Sequence, residues 1–538
     1  MKRLSSLAFL TPLSFVLLAL LYVGLAVVRL RYPGLHFDEL LHVNAALGGL
    51  DNTFIYKTLF GVPFLLMPYI GALKAWLTGP LFALFGVSVV SIRLPLIIVT
   101  AAALYLLGRT LQRWVGLWPA FAVCLLLAVD PTFIALTRAD SGPVVLQFAL
   151  TVTALSCLGT YLRTRQLLPL VGLVSSLGLG VFNKLNFIWI ANGFVVAFVL
   201  VYARSLWVQL RASTGSVNKK WWHVLLFLGG YGLSAAYYLL ASYKFNLFDF
   251  LSPQKFNWSA RLANLSSSLS GLVRGDLFYN YAYGQLQWRG ASIVFWIVAA
   301  TSLVGVALLL SKRLYKRSER QLGVFALLLV TATLAQLIVT RNAVWPWHYA
   351  TLYPALQIVF VLGLVGYYRL FQKTGLHFAK LASLPLLLLT STYLLGDIAY
   401  VRALGQPTKN VYWSPAIYTL YDYTQRLEGQ VVSVDWGTHT QLLGLSQDPA
   451  KYHNASFSLN RDPLPSDAKR QFNQDYLERN VTATEYFILH TPRTTLFPAA
   501  RKNFFALASA AGYTPRLVHT VADGSTTLFE IYQLKKLG

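Results

Sequence analysis

The sequence predicts a polytopic α-helical membrane protein that carries a soluble α/β domain at its C-terminus. Of its 538 residues, 56% are hydrophobic and only 12% are charged, which is unusual for a soluble protein of this size. Long apolar runs recur from the N-terminus to about residue 400 and then stop. Polar segments with strand-like pieces follow, so we expect a membrane domain over residues 1–400 and an α/β domain over residues 401–538.

The apolar runs predict about eleven transmembrane helices, because roughly 20 helical residues cross the hydrocarbon core of a bilayer. The runs cover residues 7–30, 91–108, 116–131, 142–161, 167–184, 186–203, 222–242, 291–310, 321–340, 349–367 and 381–399. The first run follows Lys2 and Arg3, as a signal peptide would, but it is too long and no small-residue cleavage site follows it. We therefore expect it to remain as the first helix.

The basic residues support this arrangement because they cluster in alternate connections between the runs. These connections hold Glu319 as their only acid, and their basic residues are Lys2, Arg3, Arg109, Arg113, Arg163, Arg165, Arg204, Arg211, Lys219, Lys220, Lys312, Arg313, Lys316, Arg317, Arg320, Arg369, Lys373 and Lys380. By the positive-inside rule the N-terminus is cytoplasmic and the C-terminal domain extracytoplasmic, in an inner or plasma membrane. The net charge of +25 has the same explanation, so we expect no nucleic-acid partner.

The extracytoplasmic face holds the longer loops and nearly all the acids. It comprises residues 31–90, 130–141, 243–290 and 341–348, together with everything after about residue 400. The first of these loops contains an apolar stretch, residues 62–86, that Pro63, Pro68, Gly79 and Pro80 interrupt. A full span there would reverse every later loop, so we expect two short helices lying in the membrane interface.

Two consecutive acids, Asp38 and Glu39, follow the first predicted helix directly. A carboxylate held at the membrane surface can take the proton of a hydroxyl nucleophile, or it can bind a metal ion. The competing interpretation is structural, because either acid can cap a helix that begins near Leu40, where negative charge is favourable. Asp38 is the better candidate for chemistry, and Glu39 is open to both roles.

A second charged group occurs in the short turn 130–141, where Thr137-Arg138-Ala139-Asp140 follows Asp130. Arg138 and Asp140 could simply pair with each other. Alternatively, because the turn lies on the same face as Asp38, the two acids could meet in space. Charges buried near a membrane are costly and often have a function.

Four further residues on this face could hold an anionic group. Lys57 lies in the first loop, Lys184 lies where a helix reaches the outer face, and Arg341 and His348 share a later turn. A lysine here can place a point charge on a phosphate, or it can merely snorkel to the interface. His348 can equally be an interface residue within an aromatic belt.

A series of motifs follows this topology in order. They are Phe37-Asp38-Glu39-Leu40 after the first helix, Lys57 before the interfacial segment, Arg138-Ala139-Asp140, Asn183-Lys184, His348-Tyr349 and Tyr353-Pro354. With them, residues 1–400 resemble GT-C membrane glycosyltransferases, and are similar to the superfamily of protein O-mannosyltransferases and lipid A aminoarabinose transferases. The C-terminal domain is similar only in architecture. Where many such relatives have Lys-Pro-Pro or His-Pro-Pro, this chain has Lys57-Thr58-Leu59.

The resemblance implies a GT-C-like fold and an inverting glycosyltransferase. The implied donor is a sugar on a polyprenyl phosphate, presented on the extracytoplasmic side, and the acceptor is a hydroxyl of a glycan, lipid or protein, with membrane lipids around the enzyme. The implied catalytic candidates are Asp38, Asp140 and Glu39, and the substrate-binding candidates are Lys57, Arg138, Lys184, Arg341, His348 and Tyr349. No cofactor is certain, and a divalent metal that bridges the acids and the phosphate stays open.

Two other classes of protein remain as alternatives. A secondary transporter or lipid flippase would bind its substrate near mid-membrane, often between repeated halves, whereas the candidate residues here gather at one face. A membrane-anchored binding or assembly protein that works through its C-terminal domain would leave the acids of the first loop unexplained. A cavity on the outer face that contains Asp38 and Asp140 would favour the transferase.

Overall fold

The computed structural model describes residues 2–51, 54–204, 217–245, 257–284, 290–340, 345–373, 379–478 and 485–536. Within these residues, the chain is mainly helical up to residue 403. The helices of this part are α1 Lys2–Val27, α2 Phe37–Ala46, α3 Leu73–Phe85, α4 Val89–Val115, α5 Leu117–Ala128, α6 Pro131–Ala139, α7 Val144–Thr164, α8 Leu167–Asn183, α9 Ile188–Phe198, α10 Val217–Phe245, α11 Trp258–Arg274, α12 Leu277–Tyr283, α13 Gly290–Leu309, α14 Arg317–Val339, α15 Pro346–Tyr349, α16 Ala355–Lys373 and α17 Leu384–Ala403.

Among the described residues, seven helical segments are long and apolar enough to cross a membrane. They are Val89–Val115, Val144–Thr164, Leu185–Ala203, Ser292–Leu309, Arg317–Val339, Ala355–Lys373 and Lys380–Ala403. The bent pair of α5 and α6 adds an eighth, and shorter apolar helices occur at Pro12–Val27, Leu73–Phe85, Leu167–Asn183 and Leu225–Leu240. Each apolar run predicted from the sequence falls on one of these helices, so the chain is an integral membrane protein with the predicted fold class.

The expectation of a short turn over residues 130–141 was wrong, because most of this segment is the helix α6. The Asp130 carboxylate accepts the backbone N–H groups of Thr132 and Phe133 at 2.9 and 3.1 Å, and Pro131 occupies the first helical turn. This combination starts a new helix, since the side chain satisfies N–H groups that a helix start leaves unpaired. The chain therefore bends by 62° between α5 and α6, and α6 ends at Asp140.

The first outer loop also differs from the expected pair of interfacial helices. After α2 it forms a sheet of three short antiparallel strands, β1 Lys57–Leu59, β2 Val62–Met67 and β3 Ile70–Gly71, and then the single helix α3. Phe60 and Gly61 have φ values of 50° and 79° between β1 and β2, the conformation that a tight two-residue hairpin turn requires. The last strand is anchored to the end of α8, because Leu185 donates its N–H to the Tyr69 carbonyl at 2.9 Å.

The C-terminal part folds around a five-stranded sheet. Its strands are β4 Gln430–Ser433, β5 Tyr452–Asn454, β6 Glu485–His490, β7 Tyr513–Asp523 and β8 Thr526–Lys536, and its helices are α18 Ala416–Gln425, α19 Thr438–Ser446, α20 Ser456–Leu459, α21 Ser466–Phe472 and α22 Pro498–Ala510. The spatial order is β5-β4-β6-β8-β7, in which β4 is parallel to β5 and β6 whereas β8 is antiparallel to β6 and β7. The sequence analysis did not predict the short strand β5.

The helix α2 connects the two parts of the protein. Its apolar residues Leu40 and Val43 share one core with Leu442 of α19 and Val431 of β4. Gly444 makes this packing close, since a Cβ at that position would overlap the side chain of Leu40. The helix that carries the first two candidate acids is therefore held between the membrane helices and the C-terminal sheet.

Candidate active site

Asp38 lies in the first turn of α2, in a position that the neighbouring residues fix. The His36 Nδ1 atom accepts the backbone N–H of Asp38 at 3.2 Å, and the Glu39 carboxylate accepts the backbone N–H of His36 at 2.9 Å. The Asp38 carboxylate is partly exposed, and its Oδ2 atom accepts a hydrogen bond from Ser141 Oγ at 3.2 Å. Within the described residues this is its only hydrogen bond, so its other oxygen can accept a proton or a donor from a substrate.

Glu39 has a very different environment from Asp38. Arg93 donates through Nε and Nη2 to the two Glu39 oxygens at 2.8 Å each, and both side chains are fully buried. Arg93 also donates to the carbonyl oxygens of Leu30 and Pro33, which ties the end of α1 to the start of α2. Both carboxylate oxygens of Glu39 are engaged in this pair, which argues against the catalytic role considered from the sequence and favours a positioning role.

Asp140 closes α6 in the left-handed conformation, with φ 44° and ψ 41°. Its Oδ1 atom accepts the backbone N–H of Val145 at 2.7 Å, at the start of α7, and its Oδ2 atom lies 2.8 Å from Lys74 Nζ. Burial raises the pKa of the Asp140 carboxyl, while the positive charge of Lys74 opposes that shift. Asp140 is thus a buried partner of Lys74, and the next residue, Ser141, brings this segment to Asp38.

Lys74 is a site residue that the sequence analysis missed. It lies in the first turn of α3, is buried, and also donates to the Asp140 carbonyl oxygen at 3.2 Å. A single lysine in an apolar interfacial segment is usually a snorkelling side chain, so only its proximity to Asp140 reveals its role.

Lys184 is the second ammonium group near the acids, and it is buried at the end of α8. Burial lowers its pKa to about 8, whereas Asp38 and Asp140 act in the opposite direction. Its Nζ atom donates to the Gly142 carbonyl at 3.3 Å and lies 6.0 Å from the centre of the Trp347 ring. A Cβ at Gly142 would overlap that Nζ atom, so the glycine leaves the space that the ammonium group occupies.

The histidines of the site are neutral groups. Burial and the charge of Lys184 lower the pKa of His348 well below its ordinary value, and burial with Lys74 and Lys184 does the same for His42. Within the described residues, the Nδ1 atom of each has no hydrogen-bond partner. The unpartnered Nδ1 atom of His348 is therefore available to form a hydrogen bond with a substrate.

Two further sequence candidates have other surroundings, and a third lies outside the described residues. Lys57 is exposed on β1, with its ammonium group 5.8 Å from the Tyr56 ring. The Tyr349 hydroxyl donates to Asn264 Oδ1 at 3.0 Å. Arg341 lies outside the described residues.

Arg138 is fully buried against a different set of residues. Its Nη2 atom donates to the Arg29 carbonyl at 2.9 Å. The groups that act electrostatically on it include those of Arg93, Tyr22, Tyr283 and Tyr400. Of the sequence candidates, the structure thus brings together Asp38, Asp140, Lys184 and His348, and it adds Lys74.

The C-terminal domain supplies part of the wall of the site. The His36 ring stacks on Trp413, with ring centres 4.4 Å apart and an interplanar angle of 18°, and the Trp436 ring lies 4.7 Å from Phe37. His439 of α19 contacts Asp51 at 2.8 Å between Nε2 and Oδ2. These residues could not be assigned from the sequence, because their only link to Asp38 is the packing of two domains.

A divalent metal, which the sequence left open, does not fit these residues. Within the described part of the chain, no three His, Cys, Asp or Glu side chains gather as metal ligands would. Asp140 is already paired with Lys74, and Lys184 places a second ammonium group close enough to Asp38 and Asp140 to interact with both. Two ammonium groups in this position repel a metal ion, and they can themselves offset the charge of a phosphate.

Comparison with known proteins bears on the fold and on the class of enzyme. A family model described as dolichyl-phosphate-mannose-protein mannosyltransferase matches residues 71–228, under a third of the chain, and this segment includes Lys74, Asp140 and Lys184. No curated protein matches the sequence.

Two solved structures share the fold. ArnT from Cupriavidus metallidurans, in the apo state, aligns with a TM-score of 0.53 and 11% identity, over 99% of this chain and 98% of its own. The oligosaccharyltransferase AglB from Archaeoglobus fulgidus aligns with a TM-score of 0.50 and 15% identity, over 95% of this chain and 74% of its own. Both are GT-C glycosyltransferases, so the fold is of the GT-C type, and the family model points to the same class of enzyme.

Proposed function

We propose that this protein is an inverting glycosyltransferase that moves a sugar from a polyprenyl phosphate to an acceptor hydroxyl on the extracytoplasmic side of the membrane. The observation that carries the proposal is the arrangement of charges at the site. Asp38 keeps one carboxylate oxygen available, and two buried ammonium groups, those of Lys74 and Lys184, lie near it. One group can accept a proton while the others hold a phosphate.

The reaction that fits this arrangement is a single displacement. The acceptor oxygen forms a bond to the anomeric carbon, and its proton goes to Asp38. The bond between the anomeric carbon and the phosphate oxygen breaks, and both of its electrons leave with the polyprenyl phosphate. A single displacement inverts the configuration of the sugar carbon.

Lys184 is the residue best placed to stabilise the leaving phosphate. The charge of Lys74 is already matched by Asp140, whereas Lys184 has no ion-pair partner within 4.0 Å among the described residues. Phosphate binding next to Lys184 favours its protonated form, so its lowered pKa and its function are compatible. One preorganised donor of this kind is typically worth about 3 kcal/mol of barrier.

The nature of the donor is supported by the relatives. The matching family is described by dolichyl-phosphate mannose, and the AglB structure that shares the fold is a complex with a dolichol-phosphate. A dolichyl phosphate is a polyprenyl phosphate, whose long tail explains why the chemistry sits among membrane helices.

The orientation is supported by the ends of two helices. The α4 and α7 helices begin at the site, with Arg93 and Val145, and end with the basic residues Arg113 and Arg163. Basic residues favour the cytoplasmic side, so the site itself faces the opposite compartment. This arrangement does not support a transporter or flippase, since the groups around Asp38 lie at one end of the helices rather than at their middle.

The direct test is the release of dolichyl phosphate from dolichyl-phosphate mannose, in membranes that contain the protein and their native acceptors. We expect Asp38→Asn to lower this release at least about 100-fold, because it removes the base but leaves the shape of the site. The matched control is Asp422→Asn, an exposed acid of the C-terminal domain, which should behave as the unchanged protein.

The same assay with undecaprenyl-phosphate aminoarabinose tests a second donor, which differs in both its sugar and its polyprenyl chain. Release from either donor supports the carrier class, and failure of the unchanged protein on both contradicts it. Wild-type release by Asp38→Asn would remove that residue from the mechanism.

A further inference from the structure

A cavity of about 250 Å³ lies at the far ends of the helices that begin at the candidate active site. Four arginines line it: Arg113 in the last turn of α4, Arg163 and Arg165 at the end of α7, and Arg317 at the start of α14. Since α7 rises about 1.5 Å per residue over its 21 residues, the cavity is roughly 30 Å from Asp140. It is therefore separate from the site of the proposed transfer.

The cavity is shaped by residues that pack closely rather than by loose side chains. A Cβ at Gly159 of α7 would overlap the Trp114 indole, so the glycine lets Trp114 lie against that helix. Arg163 Nε donates to the Gly159 carbonyl at 3.1 Å, which holds its guanidinium at the rim. Arg165 ends α7 in the left-handed conformation, with φ 57°. Its guanidinium lies 5.8 Å from the Tyr161 ring.

A buried hydroxyl group also reaches the cavity. Tyr202 lines it and packs edge to face against Trp114, with ring centres 6.2 Å apart. Its side chain is only 4% exposed, and its hydroxyl has no hydrogen-bond partner within the described residues. A buried hydroxyl without a partner is costly, which suggests that a ligand supplies one.

Within the described residues, no carboxylate lies within 4.0 Å of the guanidinium groups of Arg113, Arg163 or Arg317. Glu319 of α14 is the acid of this region, and Arg369 donates to both of its oxygens at 2.6 and 2.9 Å. The backbone N–H of Lys316 donates to Glu319 as well, at 2.9 Å. An anion in the cavity would relieve the mutual repulsion of the arginines and would lie at the positive end of the α14 dipole.

We propose that this arginine cavity binds the phosphate headgroup of an anionic phospholipid, on the membrane face opposite to Asp38. Guanidinium groups match phosphate oxygens in geometry and charge, and basic pockets between transmembrane helices are suited to lipid headgroups. The cavity lies at ends of helices that are apolar and long enough to cross the membrane, and the first turns of the helices that follow α4 and α7 carry Trp118 and Leu168, which are 77% and 79% exposed. These apolar surfaces fit the glycerol and acyl region of a lipid better than a soluble phosphate. The inference does not depend on the transferase activity.

The test uses purified full-length protein in detergent, titrated with short-chain phosphatidylglycerol and, separately, with short-chain phosphatidylcholine, while the unfolding temperature is followed. We expect phosphatidylglycerol to raise the unfolding temperature and phosphatidylcholine to leave it unchanged. The double variant Arg113→Gln with Arg317→Gln should raise the half-saturating concentration of phosphatidylglycerol at least about tenfold, since it removes two charged donors. Both residues are exposed at the rim, so folding should be retained.

The control is the double variant Lys312→Gln with Arg313→Gln. It removes the same charge from exposed residues on the same face, and neither residue lines the cavity. We expect its affinity to stay within about twofold of the unchanged protein. Equal losses in the two double variants would show a general charge attraction and overturn the proposal. Equal stabilisation by inorganic phosphate at the same concentration, or none by phosphatidylglycerol, would overturn it as well.

Discussion

Lys74 and Asp140 form a buried ion pair, with 2.8 Å between Nζ and Oδ2, although 66 residues separate them along the chain. The pair joins the first outer loop to the bent segment between α6 and α7. It also leaves the ammonium of Lys74 partly neutralised, so the functional distinction between the two site lysines follows from this single contact. Five predictions test that distinction and the supports of the site.

Lys74→Met should lower the free energy of unfolding by about 3 kcal/mol, because it leaves the Asp140 carboxylate buried without its partner. The measurement is thermal or denaturant unfolding of the purified protein in detergent. Lys57→Met is the matched control, since Lys57 is exposed on β1, and it should change stability by less than about 0.5 kcal/mol. Equal effects of the two changes would contradict the structural role of the pair.

The charge of Lys184 should give the transfer reaction an alkaline limit. Its pKa is lowered to about 8, so kcat/KM should fall as the pH rises through that value and the ammonium loses its proton. In Lys184→Arg the guanidinium stays charged, and the alkaline fall should disappear between pH 7 and 10. The profile of Lys57→Arg should match that of the unchanged protein. An alkaline fall that persists in Lys184→Arg would assign it to another group.

The lowered pKa of Lys184 also predicts how the stability of the protein depends on pH. Stability should rise with pH over a range in which kcat/KM falls. The folded pKa of Lys184 is about 8 and the ordinary value is 10.5, so the unfolded chain binds more protons between these values. The contribution of Lys184 to stability therefore rises as the pH increases from about 8 to 10.5. In Lys184→Met this part of the pH dependence should be absent, and an unchanged curve would contradict the assignment.

Glu39 and Asp38 should respond to substitution in different ways. Glu39→Gln should lower the free energy of unfolding by about 3 kcal/mol, because Arg93 remains buried without its charge partner. Asp38→Asn should abolish release of the polyprenyl phosphate at nearly unchanged stability. In the double variant Glu39→Gln with Arg93→Met, the second change should cost much less than Arg93→Met alone. Additive losses would show that the two residues do not act as a pair.

Gly142→Ala should raise KM for the donor by roughly tenfold, since the new methyl group displaces the Lys184 ammonium from its place. It should also cost about 1 kcal/mol of stability, because Gly142 has φ 75°. The control is Gly61→Ala, whose φ is 79° but whose added methyl group meets no neighbour. The control should lose similar stability without the change in KM. Matching KM values would mean that the crowding of Lys184 is unimportant.

The sequence predicts the membrane helices and the position of Asp38 well, because both depend on local signals. Apolar runs, and basic residues in alternate connections, report the thickness and the polarity of the bilayer directly. The hairpin of the first loop is harder to predict, because apolar residues occur in strands and interfacial helices alike. Its turn at Phe60 and Gly61 also depends on backbone angles that the sequence does not specify directly. The helix α6 begins with the cap that Asp130 provides. From the sequence, Asp130 looks like part of a short turn.

The partners of the site could not be predicted because they come from distant parts of the chain. The sequence leaves Glu39 open to a catalytic or a structural role, and the bidentate contact with Arg93 favours the structural one. Lys74 looks like an interface lysine until Asp140 is placed beside it. Trp413 belongs to the segment that follows the last membrane helix, so its stacking on His36 depends on how the two domains dock.

The shared position of α2 has a consequence for how such proteins diversify. Because Trp413 and Trp436 stand against His36 and Phe37, a chimera that received residues 401–538 from a relative would also receive new side chains beside the start of α2. Under the proposed function, such an exchange would change the surroundings of Asp38 and leave Lys74 and Lys184 in place.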